Sequence, residues 1–274
     1  MKDKLLILGL VLFATLAFSQ TNRYIYECQV KKNGKYSKMD LVLDITPDKV
    51  KFYDNKFLYT DSLNQINPSH KHIVNSISEQ VIIRNRNTFD NISHYNNNEG
   101  DYFSIKTHDE MKWMLYPETK DFQGYKIQKA TTTFGGRNWT AWFAPDVPIQ
   151  EGPYKFRGLP GLIFQLYDDK EDFIYTLVKN KNMAETYNTS DFVETYYGKA
   201  PISITHKQYV KIKLDDYNDP YASLVKALKS GAKVGIDDEE ITSVAQLDTR
   251  RKATQEDIKK HYTPIELDKA IPYP

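Results

Sequence analysis

Apolar and polar positions alternate along the first two thirds of the chain, and a period of two marks half-buried strands. Met39, Leu41, Leu43 and Ile45 alternate with more polar neighbours, and Met111, Trp113 and Leu115 repeat the pattern further on. Tyr24, Tyr26, Cys28 and Val30 alternate in the same way, which places Cys28 on the inner face of a strand as a small buried hydrophobe. Turn signals punctuate these runs: Asn33-Gly34 closes a first hairpin, Asn96 to Gly100 another, and Gly135-Gly136 joins the segment ending at Phe134 to the one starting at Arg137. Hairpins in series make an antiparallel sheet; the strand-helix alternation of a parallel sheet does not occur. Twenty tyrosines suit the same architecture.

Helical signals come later. Thr205-His206-Lys207-Gln208 fits a capping box, and Val210, Leu214 and Tyr217 follow at helical spacing. Asp219-Pro220 starts a second helix with Leu224, Val225 and Leu228 on one face and Gly231 as its stop, and a third, short helix is expected from about Gln255 to Tyr262. The stretch from Asp54 to Asn75 has little periodicity and reads as a long loop, and the charge-rich Gly235 to Arg251 segment as a mobile one. The expected fold is mainly β (α+β): a curved antiparallel sheet or incomplete barrel with C-terminal helices packed on one side.

The N-terminus departs from this pattern. Lys2 and Lys4 precede an apolar run from Leu5 to Phe18, and Ala17-Phe18-Ser19 ends on small residues at the two positions that signal peptidase inspects. Residues 1–19 are therefore expected to be a cleaved secretory signal peptide, with residues 20–274 forming a single exported domain. The run is shorter than the ~20 residues that span a bilayer. It lacks a cysteine at its end for lipid attachment, so the product is expected in the periplasm or outside the cell, neither lipid-anchored nor stably inserted in a membrane. Cleavage takes the 37 basic and 36 acidic residues to 35 of each. A net charge of zero argues against nucleic acid as a partner. With one cysteine, an intrachain disulfide is impossible and the core must stabilise the domain.

The most distinctive stretch runs from Gly152 to Ile163, with Gly158-Leu159-Pro160-Gly161-Leu162-Ile163 at its end. Pro160 holds Leu159 extended, and the bracketing glycines permit a sharp turn or a close backbone approach. This hexapeptide resembles the signature of the GLPGLI family, exported proteins of Bacteroidetes. Thr131 to Arg137, Trp139 to Pro145 and Val147-Pro148-Ile149 before Gly152-Pro153-Tyr154 are similar to its flanks. The resemblance implies export but no activity, cofactor or catalytic residue. A motif of Gly, Pro and aliphatic residues offers no acid, base or nucleophile, so a packing role is expected of it.

Recognisable chemistry is sparse. His70-Lys71-His72 is the only close histidine pair and has no further ligands at metal-binding spacing, so no metal site is assigned. Asp168-Asp169-Lys170-Glu171-Asp172 lacks the pattern of a calcium loop and sits between two apolar runs as a hairpin tip. Nucleophile elbows, phosphate loops and dinucleotide fingerprints are missing, and no cofactor is expected. Trp139, Trp142, Phe143, Tyr154 and Phe156 crowd the named motif as core or as the wall of a ligand cleft, with Arg137 and Arg157 as anion partners if a cleft exists. The expected function is a non-enzymatic binding or accessory protein for an apolar ligand, a peptide or an envelope protein. The alternatives are an exported hydrolase with an unfamiliar site and a structural partner of an envelope complex.

Overall fold

The structure, a computed structural model, describes residues 21–97, 99–236 and 239–274; the signal peptide expected over residues 1–19 lies outside the described residues. The strands are β1 (Thr21–Lys32), β2 (Lys35–Ile45), β3 (Lys49–Asp54), β4 (Val81–Asn85), β5 (Asp90–Asn96), β6 (Tyr102–His108), β7 (Met114–Phe122), β8 (Tyr125–Phe134), β9 (Arg137–Ala144), β10 (Leu162–Asp168), β11 (Phe173–Met183), β12 (Ile202–Ser203), β13 (Val234–Ile236) and β14 (Glu239–Ile241). The helices are α1 (Asn55–Ile66), α2 (His206–Asn218), α3 (Ala222–Lys229) and α4 (Val244–His261), with a π turn at Ser190–Glu194 and a 3-10 turn at Leu267–Lys269.

Twelve strands form one sheet in the order β12-β6-β5-β4-β3-β2-β1-β11-β10-β9-β8-β7, antiparallel apart from the short β12–β6 contact. Chain connectivity forces it to curl. β6 and β7 lie ten strand spacings apart, about 48 Å in a flat sheet. Six residue steps join His108 to Met114, a reach of at most about 21 Å. The two ends must therefore approach each other across the concave side, giving a curved, mainly β sheet that is not closed. Turn chemistry sets the hairpins as expected. Asn33 and Gly34 both take positive φ between β1 and β2, as do Gly135 and Gly136 between β8 and β9.

Both faces of the central strands are covered, so Leu41 to Ile45 is buried without a break. Leu41, Leu43 and Ile45 join Tyr26, Phe52, Trp139, Phe156 and Tyr175 in the main core. Val42 and Tyr53 pack outward with Phe57 of α1 and with Phe192 and Val193 of the π turn. Cys28 is fully buried, and burial pushes its thiol up to about 12.

Several expectations need correction. Residues 55–66 form α1 instead of a loop; only Phe57 and Thr60 of that helix are buried, too few to imprint a period on the sequence. The supposed mobile segment contains β13, β14 and the first turns of α4, tied down by Val234, Ile241 and Leu247. The third helix starts at Val244, not near Gln255, with Ser243 and Gln246 making a capping box. Met111 and Trp113 precede β7 and turn into the core, while Leu115 on that edge strand is exposed. The Thr205–Gln208 capping box forms as expected, and Gly231 follows α3 at φ 80°.

Candidate functional site

The segment between β9 and β10, residues 145–161, crosses the concave side and fills it. Residues 151 to 157 are buried in succession, unusual for a connection, and hydrogen bonds to the backbone fix the path of the segment. Gly158 N–H donates to Gln150 O at 3.1 Å, Leu162 N–H to Val147 O at 3.0 Å and Ile163 N–H to Glu151 O at 3.1 Å. Arg84 of β4 reaches in to donate to Tyr154 O at 3.0 Å and forms an ion pair with Glu151, which also pairs with Arg157. Trp113 donates to Arg157 O at 2.8 Å. This plug ties β4 to the β7 edge and holds the curl.

The named hexapeptide ends the plug. Leu159, Leu162 and Ile163 are buried and Pro160 is exposed. Gly158 sits at φ 96°. A Cβ on Gly161 would stand 2.1 Å from Ala144 O, so here the glycine is required by backbone proximity to β9. Tyr26 caps the motif by donating to Ile163 O at 2.7 Å.

The aromatic residues singled out from the sequence come together around the plug. Trp139, Phe143, Tyr154 and Phe156 are buried in the main core, with Trp139 and Phe156 rings 4.7 Å apart. Trp142 is half-buried with Lys120 Nζ 4.2 Å over its ring. Neither arginine is free for an external anion: Arg157 is paired with Glu151 and lies 4.4 Å over Phe89, and Arg137 donates to Asp168 and Asp172 at 2.8 Å each and to the Pro264 and Ile265 carbonyls. Asp168 and Asp172 flank the acidic turn between β10 and β11, so the hairpin tip expected there doubles as the clamp on Arg137. His70, Lys71 and His72 are exposed after α1, and among the described residues no group of three His, Cys, Asp or Glu side chains is arranged to hold a metal.

A cleft of about 510 Å³ opens beside the plug, within the range of ordinary ligand sites, ~300–1,000 Å³. One wall is the loop from Asn75 to Gln80 with Tyr95 of β5; the other is α2, the end of α4 and the C-terminal tail. Tyr154 is the residue the sequence-based candidates contribute to it. The Tyr95 and Tyr209 rings lie 4.4 Å apart, tilted by 34°, and Tyr273 lies 5.1 Å from Tyr217 and 5.0 Å from Tyr262. Burial raises the phenols of Tyr95, Tyr154, Tyr209, Tyr262 and Tyr273, which keeps them neutral donors at physiological pH.

The charged groups of the cleft are largely paired. Glu266 accepts from Tyr154 OH at 2.6 Å and Lys155 Nζ at 2.8 Å, and pairs with Lys269. Burial pushes its carboxyl up, but Lys155 and Lys269 together outweigh this and leave it below the usual range. Glu79 pairs with Lys213 at 2.5 Å and accepts from Tyr209 OH at 3.4 Å. Burial, with Lys269 nearby, lowers the His206 imidazole from its ordinary value and favours the neutral ring. Asp216 is raised by burial. The arrangement presents tyrosine faces, neutral donors and a few charges of either sign, which suits binding. Glu79, Tyr209, Lys213 and Tyr273 carried no local sequence signal.

Residues 91–165 match a family model described as "Protein of unknown function (Porph_ging)". The match runs from β5 into β10 and so includes the plug and its hexapeptide. No curated protein matches the chain. Among solved structures it is similar to PNGF-II in the C2 space group, with a TM-score of 0.49 at 15% identity over 70% of this chain and 32% of that one. PNGF-II in the P21 space group gives a TM-score of 0.49 at 16% identity over 71% and 33% of the two chains. The chain thus spans about a third of the length of those structures.

Proposed function

We propose that this chain is an exported, non-enzymatic binding protein that holds a short peptide segment in the tyrosine-walled cleft between the sheet and the C-terminal tail. On this reading residues 1–19 direct export and are removed, residues 20–274 act as one domain in the periplasm or at the cell surface, and the C-terminal helices cover one side of the sheet. The hexapeptide is then the family signature its resemblance suggests, serving to close the fold.

The observation that carries the reading is the lining of the cleft. Clustered tyrosines supply broad apolar contact with polar tips. On one rim the exposed Asn75 offers its side-chain amide to a peptide backbone, while Ser76 and Ser78 are held by Asp54 and Gln80 by Tyr175. A lipid tail would strip water from Asp216 and from the Glu79–Lys213 pair without replacing it, whereas the polar backbone of a peptide replaces part of it. A hydrolase reading is favoured by the Tyr154–Glu266 contact within the cleft. Against it, Glu266 is already saturated by Lys155 and Lys269 and holds its proton poorly, which disables it as an acid.

Passing a random octapeptide library over the immobilised protein and over Tyr209→Ala tests the reading. Enrichment of a shared sequence by the native protein, lost at least tenfold in the variant, is expected. An unenriched pool, or equal enrichment by both proteins, overturns it.

A further inference from the structure

Residues 271–274 run along the side of the cleft built by α2 and α4. Ile271 is buried with Ile105 and Tyr209, whereas Pro272 and Pro274 are exposed and Tyr273 is half-buried. The Tyr273 ring enters a slot between Tyr217 of α2, 5.1 Å away, and Tyr262 just after α4, 5.0 Å away and edge-on. Tyr217, Tyr262, Ile271 and Tyr273 all line the cleft.

The segment is held as a ligand is held. It belongs to no strand or helix. Side chains grip its backbone instead: Ile271 N–H donates to Tyr262 OH at 2.6 Å, and Pro274 O accepts from Lys259 Nζ at 2.9 Å and from Tyr217 OH at 3.3 Å. Among the described residues its backbone bonds only to itself, Tyr273 N–H to Ile271 O at 2.9 Å, a γ-turn centred on Pro272. The preceding stretch is fixed differently. Arg137 donates to Pro264 O and Ile265 O, Leu267 N–H donates to Gly135 O at 2.6 Å, and Glu266 is locked by Tyr154 and Lys155. Residues 272–274 can therefore leave the slot while that wall of the cleft stays in place. An aromatic slot with side-chain donors aimed at a backbone carbonyl is a peptide-binding arrangement, and proline, by fixing its own φ, lowers the cost of ordering what enters it.

We infer that the cleft selects peptide segments carrying an aromatic residue flanked by prolines, and that residues 272–274 fill its aromatic slot as the chain's own copy of such a ligand. This rests on the peptide reading of the cleft and adds its specificity. Tyr217 and Tyr262 clasp the ring, and Lys259 and Tyr217 hold the carbonyl of the residue after it. A peptide from solution exchanges with Tyr273, so the tethered segment sets the concentration at which binding begins.

The probe is a labelled peptide with the sequence of residues 268–274. It is titrated by fluorescence anisotropy into the chain from Gln20 onward and into the same chain carrying Pro272→Gly and Tyr273→Gly, which empties the slot and keeps Ile271. The emptied chain is expected to bind at least about tenfold tighter than the native one, whose tethered segment competes at an effective concentration of roughly millimolar. Lys259→Ala in the emptied chain, at an exposed position, is expected to weaken binding several-fold, and Tyr273→Ala in the peptide about tenfold. A second readout needs no substitution in the protein: with ring-labelled tyrosine in the native chain, excess unlabelled peptide is expected to move the Tyr273 ring signals to those of a solvent-exposed tyrosine. Equal affinity of the two chains, binding indifferent to the aromatic residue of the peptide, or unmoved Tyr273 signals overturn the inference. Octapeptides selected on the native protein that bind both chains equally overturn it and leave the peptide reading standing. No binding of any peptide by either chain overturns both.

Discussion

Replacing Gly161 by alanine adds one methyl group where the plug meets β9. The new Cβ would lie 2.1 Å from Ala144 O and 2.6 Å from its carbonyl carbon, with Pro145 N at 3.0 Å. All three are backbone atoms, so no side chain can rotate away, and bringing the 2.1 Å approach to the contact distance of ~3.5 Å requires the Ala144–Leu162 pairing at the start of β10 to open by about 1.4 Å. Overpacking costs about 1–3 kcal/mol where side chains can adjust. Here Leu162 and Ile163 lose packing as well, and the expected destabilisation is about 3–5 kcal/mol. For a domain of this size that is a fall in Tm of roughly 6–20 °C. The internal control is Gly158→Ala, whose Cβ meets Phe89 at an ordinary 3.5 Å but whose φ of 96° strains an alanine; about 1–3 kcal/mol is expected there. Thermal melts and urea titrations followed by circular dichroism measure both. A Gly161→Ala protein that melts within about 2 °C of the parent, or one less affected than Gly158→Ala, refutes the packing account of the hexapeptide.

Three further outcomes follow from the buried polar groups. Arg137→Ala leaves Asp168, which is fully buried, with Phe173 N–H as its remaining partner, and is expected to cost about 3–5 kcal/mol and to expose the C-terminal tail to limited proteolysis, while Arg137→Met with Asp168→Asn recovers most of that stability. His94 is buried with its Nδ1 unpartnered, and burial lowers it to about 4, so the unfolded chain takes up a proton below pH ~6.5 that the folded one refuses. Stability is therefore lost as pH falls from about 6.5 to 4, by roughly 2–3 kcal/mol from this group, and urea titrations at pH 7 and 4.5 should show that part of the loss absent from His94→Phe. Cys28, raised to about 12 by burial, should resist iodoacetamide in the folded protein and react on unfolding; labelling under native conditions would contradict its placement.

The sheet was legible because its signals are local. Asn33-Gly34 and Gly135-Gly136 specify their turns by backbone preference alone, and the Thr205–Gln208 capping box is written in four residues. The covering of both sheet faces blurred alternation at Leu41 to Ile45, and α1 was missed because two buried positions set no period. The aromatic cluster was recognised as a cluster, but whether it lines a cleft depends on the plug crossing the sheet, a contact between residues as far apart as Arg84 and Glu151. The cleft itself joins Glu79, Tyr95, Tyr209 and Tyr273 from four separate stretches, and nothing local in the sequence joins them.

The most direct test of the binding account maps a selected octapeptide onto the protein by backbone amide chemical shifts. The account predicts saturable shifts gathered at Glu79, Tyr95, His206, Tyr209 and Tyr273, with the β7–β8 hairpin unmoved. Shifts centred on that hairpin, or none at saturating peptide, would contradict it.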